Sequence, residues 1–268
     1  MSLIGMAVDP NGAAIVAFQS NSTLYEAMRS SGAKSTFGTL KAVATNDAGA
    51  DSFASNASGR AVVAYSDGSH YYAAVRDSGK SFGKPVMITG PICCGSFANS
   101  VAGVAADGSA AILVQVLVQG ASASCGGPSQ PYWVAQHEFR LAASAGSWRA
   151  TGVYGGKAGD SVTSPRLAGG PKNRIEAAWI VDNRSATQMC GTHNPFEVQA
   201  GALGGPMATP FNYSPPPAQD FFYGNLAYPP AGTSLALGTS ACGDAAMIIG
   251  VEVGLKNRYP SVLDPNDG

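Results

Sequence analysis

The chain has 268 residues, enough for one large domain or two small ones, and a chain of this size buries roughly three-quarters of its unfolded surface. Its 16 Lys+Arg balance 17 Asp+Glu without a basic stripe, which argues against a nucleic-acid partner, and no apolar run approaches the ~18 residues a membrane span needs. Gly (34) and Pro (17) are plentiful and charged residues make up only 12%, yet 45% are hydrophobic: a turn-rich, all-β composition and not a disordered one.

Taken in order, the predicted strands recur with a period near 48 residues. Gly12-Ala-Ala-Ile-Val-Ala-Phe18 aligns with Gly59-Arg-Ala-Val-Val-Ala-Tyr65, with Gly108 to Val114, and with Asn173-Arg-Ile-Glu-Ala-Ala-Trp179. The step from Gly12 to Gly59 is 47 residues and that from Gly59 to Gly108 is 49. The following strand repeats as well, Leu24-Tyr-Glu-Ala-Met-Arg29 matching Tyr71-Tyr-Ala-Ala-Val-Arg76. Short strands stand ahead of each copy at Gly5 to Val8, Phe53 to Ala57, Ser100 to Ala105, Pro165 to Ala168 and Gly224 to Tyr228. Four strands per unit at this spacing predict β-propeller blades, whereas a β-sandwich would not generate the repeat. The strands read as continuous apolar runs because each blade is packed on both faces. The expectation is a single all-β domain over 1–268, a five-bladed β-propeller of four-stranded antiparallel blades at about 1–45, 46–90, 91–156, 157–218 and 219–268. An incomplete six-bladed ring is the alternative, because Asp264-Pro-Asn-Asp-Gly268 repeats the turn Asp9-Pro-Asn-Gly12.

Val75-Arg-Asp-Ser-Gly-Lys-Ser-Phe82 resembles the aspartate box of sialidase-like propellers, with Asp77, Gly79, Ser81 and Phe82 matching in kind. Ser30 to Phe37 and Ala142 to Trp148 look like degenerate copies. The resemblance implies a structural corner between the third and fourth strands of a blade and, loosely, glycan chemistry. It does not imply sialidase activity: Arg174-Ile175 is followed by Glu176, and Arg258-Tyr259-Pro260 has the wrong middle residue for an Arg-Ile-Pro motif.

Function is expected on the opposite face, where loops between second and third strands lie. Those loops are tight in the first two units and long at Gln119 to Pro131 and Asp182 to Pro195. The cysteines collect there too. An odd count of five leaves at least one thiol without an intrachain partner, and Cys94, Cys125, Cys190 and Cys242 are the disulfide candidates, paired Cys94 to Cys125 and Cys190 to Cys242. Disulfides would place the protein in an extracellular or periplasmic compartment, although Met1 to Met6 does not read as a signal peptide. His193, three residues after Cys190, prompts a metal reading, but the cysteines lack CxxC spacing, so neither metal nor cofactor is expected.

Aligning the unit starts sets Asp51-Ser-Phe, Asp160-Ser-Val and Asp220-Phe-Phe in register around the mouth of the channel. Paired carboxylates there suit glycoside hydrolysis, at about 5–5.5 Å apart for retention or ~6.5–9.5 Å for inversion. Asp51, Asp160 and Asp220 are therefore the candidate catalytic residues, at positions similar to those of the acids in arabinanase-type propellers. The bland reading makes them turn caps. Ligand contacts are expected from His70, Tyr71, Ser96, Asn99, Tyr132, Trp133, Arg184, His193, Phe222 and Tyr223, since an aromatic-rimmed polar pocket suits sugar C–H faces. The expected function is an extracellular carbohydrate-binding propeller. The alternatives are a glycoside hydrolase with paired Asp carboxylates and a protein-interaction scaffold.

Overall fold

A computed structural model describes residues 1–32, 34–45, 49–89, 99–119, 132–144, 146–155, 161–182, 196–213, 234–240 and 244–250; within them the chain forms strands and turns and no helix. The first sheet is a meander of β1 (Ser2–Val8), β2 (Ala14–Ser20), β3 (Thr23–Arg29) and β4 (Lys41–Ala44). The second holds β5 (Gly49–Ser55), β6 (Ala61–Ser66), β7 (Tyr71–Arg76) and β8 (Val86–Met87). β9 (Ser100–Val104), β10 (Ala110–Gln119), β11 (Tyr132–Leu141) and β12 (Arg149–Gly155) make the third. The fourth comprises β13 (Ser161–Gly169), β14 (Ile175–Asp182), β15 (Phe196–Ala202) and β16 (Met207–Tyr213), and a two-stranded sheet follows, β17 (Ser234–Thr239) with β18 (Ala245–Gly250). All pairings are antiparallel, and the first strand of each sheet lies beside the first strand of the next.

Alternation along the second strand explains the unbroken apolar runs. Ala61, Val63 and Tyr65 of β6 pack toward the first sheet with Ile15, Ala17 and Leu24. Val62 and Ala64 point the other way, onto Ala102, Ile112 and Val114 of the third. Leu113 and Ala111 meet Ala177, Trp179 and Val181 of the fourth, whose other side meets Leu235 of β17. A strand buried on both sides needs small and branched apolar residues at every position, which erases the period-2 signal. Among the described residues the row of sheets is not closed: Leu3, Met6 and Val8 of β1 are 71%, 55% and 48% exposed, and Ile248 of β18 is 72% exposed.

Each turn from first to second strand repeats one backbone bond, Asp9 N to Ala13 O, Asn56 N to Arg60 O, Ala105 N to Ser109 O, Gly170 N to Arg174 O and Ser240 N to Asp244 O. By that pattern, and by its place beside β13, β17 occupies the first-strand position of the fifth sheet. Gly224 to Tyr228, expected there from the sequence, lies outside the described residues.

The aspartate-box segment forms the corner between β7 and β8. Lys80 N bonds to Asp77 O at 3.1 Å and Gly83 N to Val75 O at 2.9 Å, while Gly79 takes φ +71°, a conformation glycine adopts without penalty. Phe82 is buried with its ring edge on Phe53. The same closing bond recurs in the first sheet as Gly38 N to Met28 O at 2.8 Å.

Two buried polar clasps join neighbouring sheets at this edge. Asp9 accepts Arg76 Nη2 at 2.9 and 3.0 Å and Gly79 N at 2.7 Å, with both side chains of the ion pair closed to solvent. Glu26 of β3 accepts Phe82 N at 2.8 Å.

Candidate functional site

The best-defined polar cluster lies at the opposite edge, where β5 and β9 begin. In β5 the pairs Ala50↔Tyr65 and Ser52↔Ala64 leave Asp51 as the extra residue of a bulge. Such an insertion re-aims a side chain relative to the flat ladder. Asp51 thereby reaches across to the third sheet. Its Oδ2 accepts Ser100 N at 2.9 Å and the Tyr71 hydroxyl at 2.7 Å, and its Oδ1 accepts Ser100 Oγ, which also lies 3.1 Å from Ser52 Oγ. Tyr71 is 1% exposed; its amide donates to Thr89 Oγ1 at 2.8 Å, and Ile88 N donates to its carbonyl at 2.9 Å.

Part of the Asp51 residue is open to solvent, yet its carboxylate is crowded, and the carboxylate is the group that ionises. Burial raises its pKa above the usual 3.8, and the bonds from Ser100 and Tyr71 pull the other way without cancelling it. The Tyr71 phenol is in turn pushed far upward, by burial first and by the charge and bond of Asp51 second.

Beside this cluster stands the β6–β7 turn. Asp67 Oδ1 accepts Ser69 N at 2.8 Å and His70 N at 2.7 Å, and its Oδ2 accepts the Tyr72 hydroxyl at 2.9 Å. A small burial penalty on Asp67 is outweighed by these donors, so its pKa falls below 3.8. His70 Nδ1 lies 3.5 Å from Asp67 Oδ2 and has no hydrogen-bond partner among the described residues. The half-buried Tyr72 ring stacks on Tyr65 at 5.2 Å and meets His70 edge-on at 6.4 Å. Burial, then the neighbouring Tyr72 and Asp67, push the Tyr65 phenol up to about 12. The same cross-strand place in the first sheet holds Phe18 stacked on Tyr25 at 5.6 Å, so the aromatic pair is a repeated feature.

Of the sequence-derived site residues, Asp51, His70 and Tyr71 come together here. Asn99 is exposed next to Ser100, and its carbonyl accepts Gln115 N at 2.9 Å. Tyr132 and Trp133 begin β11, paired with Gln119 and Val118. Ser96, Arg184, His193, Phe222, Tyr223, Asp160, Asp220 and all five cysteines, including Cys94, Cys125, Cys190 and Cys242, lie outside the described residues.

The ladders do, however, shift the register assumed for the acids. Tyr65 and Trp179 are repeat equivalents, and in β13 the pairs Thr163↔Ile180 and Arg166↔Ala178 leave Ser164-Pro165 as the bulge opposite Trp179. Ile4 is the matching residue in β1, and Ser100 opposite Val114 in β9. Asp51 thus corresponds to Pro165, whereas Asp160 precedes Ser161, whose partner is Asp182, further along the hairpin. Ser100 was missed as a site residue, although it stands one repeat of 49 residues after Asp51.

A concavity of about 560 Å³ opens on the clasp-bearing edge over Glu138, Arg140, Thr151 and Tyr154, against the β15–β16 corner. Its charges are already engaged: Glu138 is bound by Arg140 Nε and the Tyr154 hydroxyl, and Arg140 Nη2 donates to Leu203 O. Among the described residues no group of His, Cys, Asp and Glu is placed to hold a metal ion. No family model matches the chain, and no curated protein matches it in sequence.

Proposed function

We propose that the chain is an extracytoplasmic five-bladed β-propeller recognition module that binds carbohydrate at the edge bearing Asp51, His70 and Tyr72. First-strand-to-first-strand packing of successive four-stranded sheets supports the ring architecture. The observation that carries recognition over hydrolysis is the engagement of Asp51: both its oxygens receive donors from Tyr71 and Ser100, so the carboxylate serves as a strap between two sheets. Tyr72, braced by Tyr65 and flanked by His70 and Asp67, offers an aromatic platform with polar groups at its rim, the combination that suits a sugar ring.

Probing a glycan array with the purified protein tests the reading, with Tyr72→Ala and His70→Ala as companions. Glycan retention that falls at least tenfold in Tyr72→Ala, with an unchanged melting temperature, supports it. A blank array overturns it and favours a protein-binding scaffold. The second reading, a glycoside hydrolase, is favoured by the burial that raises the pKa of Asp51, the direction of shift a general acid needs. Aryl-glycoside turnover abolished by Asp51→Asn would install that reading instead. The extracytoplasmic location rests on the loop cysteines, and five free thiols in non-reducing mass spectrometry would remove it.

A further inference from the structure

On the clasp-bearing edge, the third strand of one sheet faces the corner between the third and fourth strands of the next. Glu26 of β3 accepts the Phe82 amide at 2.8 Å, and two residues on, Met28 Sδ accepts Ser81 Oγ at 3.6 Å, so the β7–β8 corner fills the space beside the first sheet. Trp148, just before β12, packs likewise against the core that includes Ala73 of β7. The ladders make Glu138 and Arg140 the counterparts of Glu26 and Met28. Glu138 pairs with Leu113 and Arg140 with Ala111, as Glu26 pairs with Ala17 and Met28 with Ile15. The fourth sheet brings them a much shorter corner: the four residues 203–206 join β15 to β16, where the nine residues 77–85 join β7 to β8. The concavity of about 560 Å³ over Glu138 and Arg140 stands where the longer corner would pack. Its volume falls within the roughly 300–1,000 Å³ usual for small-molecule sites.

The polar groups of this concavity are held in place by one another. Glu138, its side chain only 2% exposed, accepts Arg140 Nε and the Tyr154 hydroxyl, and Arg140 Nη2 donates to Leu203 O. A Cβ on Gly204, at φ +78°, would lie 3.2 Å from Arg140 Nη2, so the glycine keeps the guanidinium uncovered. The Arg140 side chain is 28% exposed, and its Nη1 has no acceptor among the described residues. Thr151, the extra residue of a bulge between Ala150 and Gly152, stands exposed on the rim. Beyond it the exposed Arg149 pairs with Arg140 across β11 and β12. Cross-strand partners share a face, so two guanidiniums stand beside one carboxylate. That balance favours an anion, and the place of a box aromatic favours a ring. We propose that this concavity is a ligand site in its own right and binds a small organic acid with a single ring, its carboxylate on Arg140 and its ring in the space that Phe82 fills beside the first sheet. A planar guanidinium suits the task, because its parallel N–H donors match the two oxygens of a carboxylate. The site is separate from the Asp51 edge, and neither reading rests on the other.

Isothermal titration of the full chain with phenylacetate tests it. Saturable one-to-one binding is expected, weaker by about tenfold or more for neutral phenylacetamide and for Arg140→Gln, since each removes a charge-assisted pair. Thr151→Phe fills the concavity with a ring of the chain's own and should abolish binding at an unchanged melting temperature. Tyr72→Ala, at the opposite edge, should bind as the parent does. A parent that takes up no phenylacetate overturns the proposal, as does a Thr151→Phe variant that binds normally. Equal affinity for phenylacetamide overturns the anion assignment, and loss of binding in Tyr72→Ala moves the ligand to the other edge and overturns the site. Should Arg140→Gln fail to fold because it strands the buried Glu138, Arg149→Gln decides: a loss of affinity of about threefold or more supports the site, and no loss overturns it.

Discussion

Replacing Asp9 by Ala tests how strongly the first two sheets are clasped. The substitution removes the partner of a guanidinium whose side chain is closed to solvent, and it also strands the Gly79 amide that bonds to Asp9 at 2.7 Å. Breaking one side of a buried pair costs about 3–5 kcal/mol, because the remaining charge stays desolvated and unpaired. The orphaned amide adds about 1–3 kcal/mol. At roughly 2–4 °C per kcal/mol for a chain of this size, the melting temperature should fall by about 8 °C or more. Urea unfolding of Asp9→Ala, Arg76→Met and the pair Asp9→Leu/Arg76→Met isolates the cause. The paired replacement should recover the ion-pair share of the loss, since it leaves no unpaired buried charge, while the Gly79 amide stays unbonded. An Asp9→Ala midpoint within error of the parent would refute the reasoning, as would a paired variant as weak as the sum of the singles.

Gly59→Ala should cost more than the ~1 kcal/mol usual for a left-handed glycine, because the new methyl also displaces Asp9; calorimetry against the exposed turn variant Gly68→Ala, at φ +87° with open space around it, separates the two effects. Asp51 binds its proton more tightly folded than unfolded, so its contribution favours the folded state at low pH and is lost as pH rises from about 3.8 through its raised value. The stability difference between the parent and Asp51→Asn, followed by urea titration from acid to neutral pH, should therefore decline with rising pH; a flat difference would contradict it. Tyr65, with its phenol near 12, should remain neutral in the folded chain at pH 11, so absorbance titration at 295 nm should show delayed ionisation that Tyr65→Phe reduces. Ser100→Ala should weaken the strap between the second and third sheets by about 1–2 kcal/mol in denaturant unfolding, since it removes a hydroxyl donor to a carboxylate.

Much of the fold was legible in the chain. The aligned runs ending in Phe18, Tyr65 and Trp179 became second strands in matching positions, because a strand covered on both sides tolerates only small and branched apolar residues and so writes the same text each time. Turn chemistry was legible too: Gly79 and the Asp77 corner adopt the backbone geometry their residue types favour. The site was less so. Grouping Asp51 with Asp160 followed a local likeness of Asp-Ser pairs, but bulges decide which residue of a first strand faces the neighbouring sheet, and they add residues without leaving a sequence mark.

By itself, then, the sequence determined the repeat, the strands and their glycine-bearing turns, because these answer to neighbours a few residues away. The tertiary structure alone decided that Asp9 belongs to Arg76, Asp51 to Ser100 and Glu26 to the Phe82 amide. Each of those bonds joins residues some 49 to 67 positions apart and exists only once two sheets stack and water leaves the space between them.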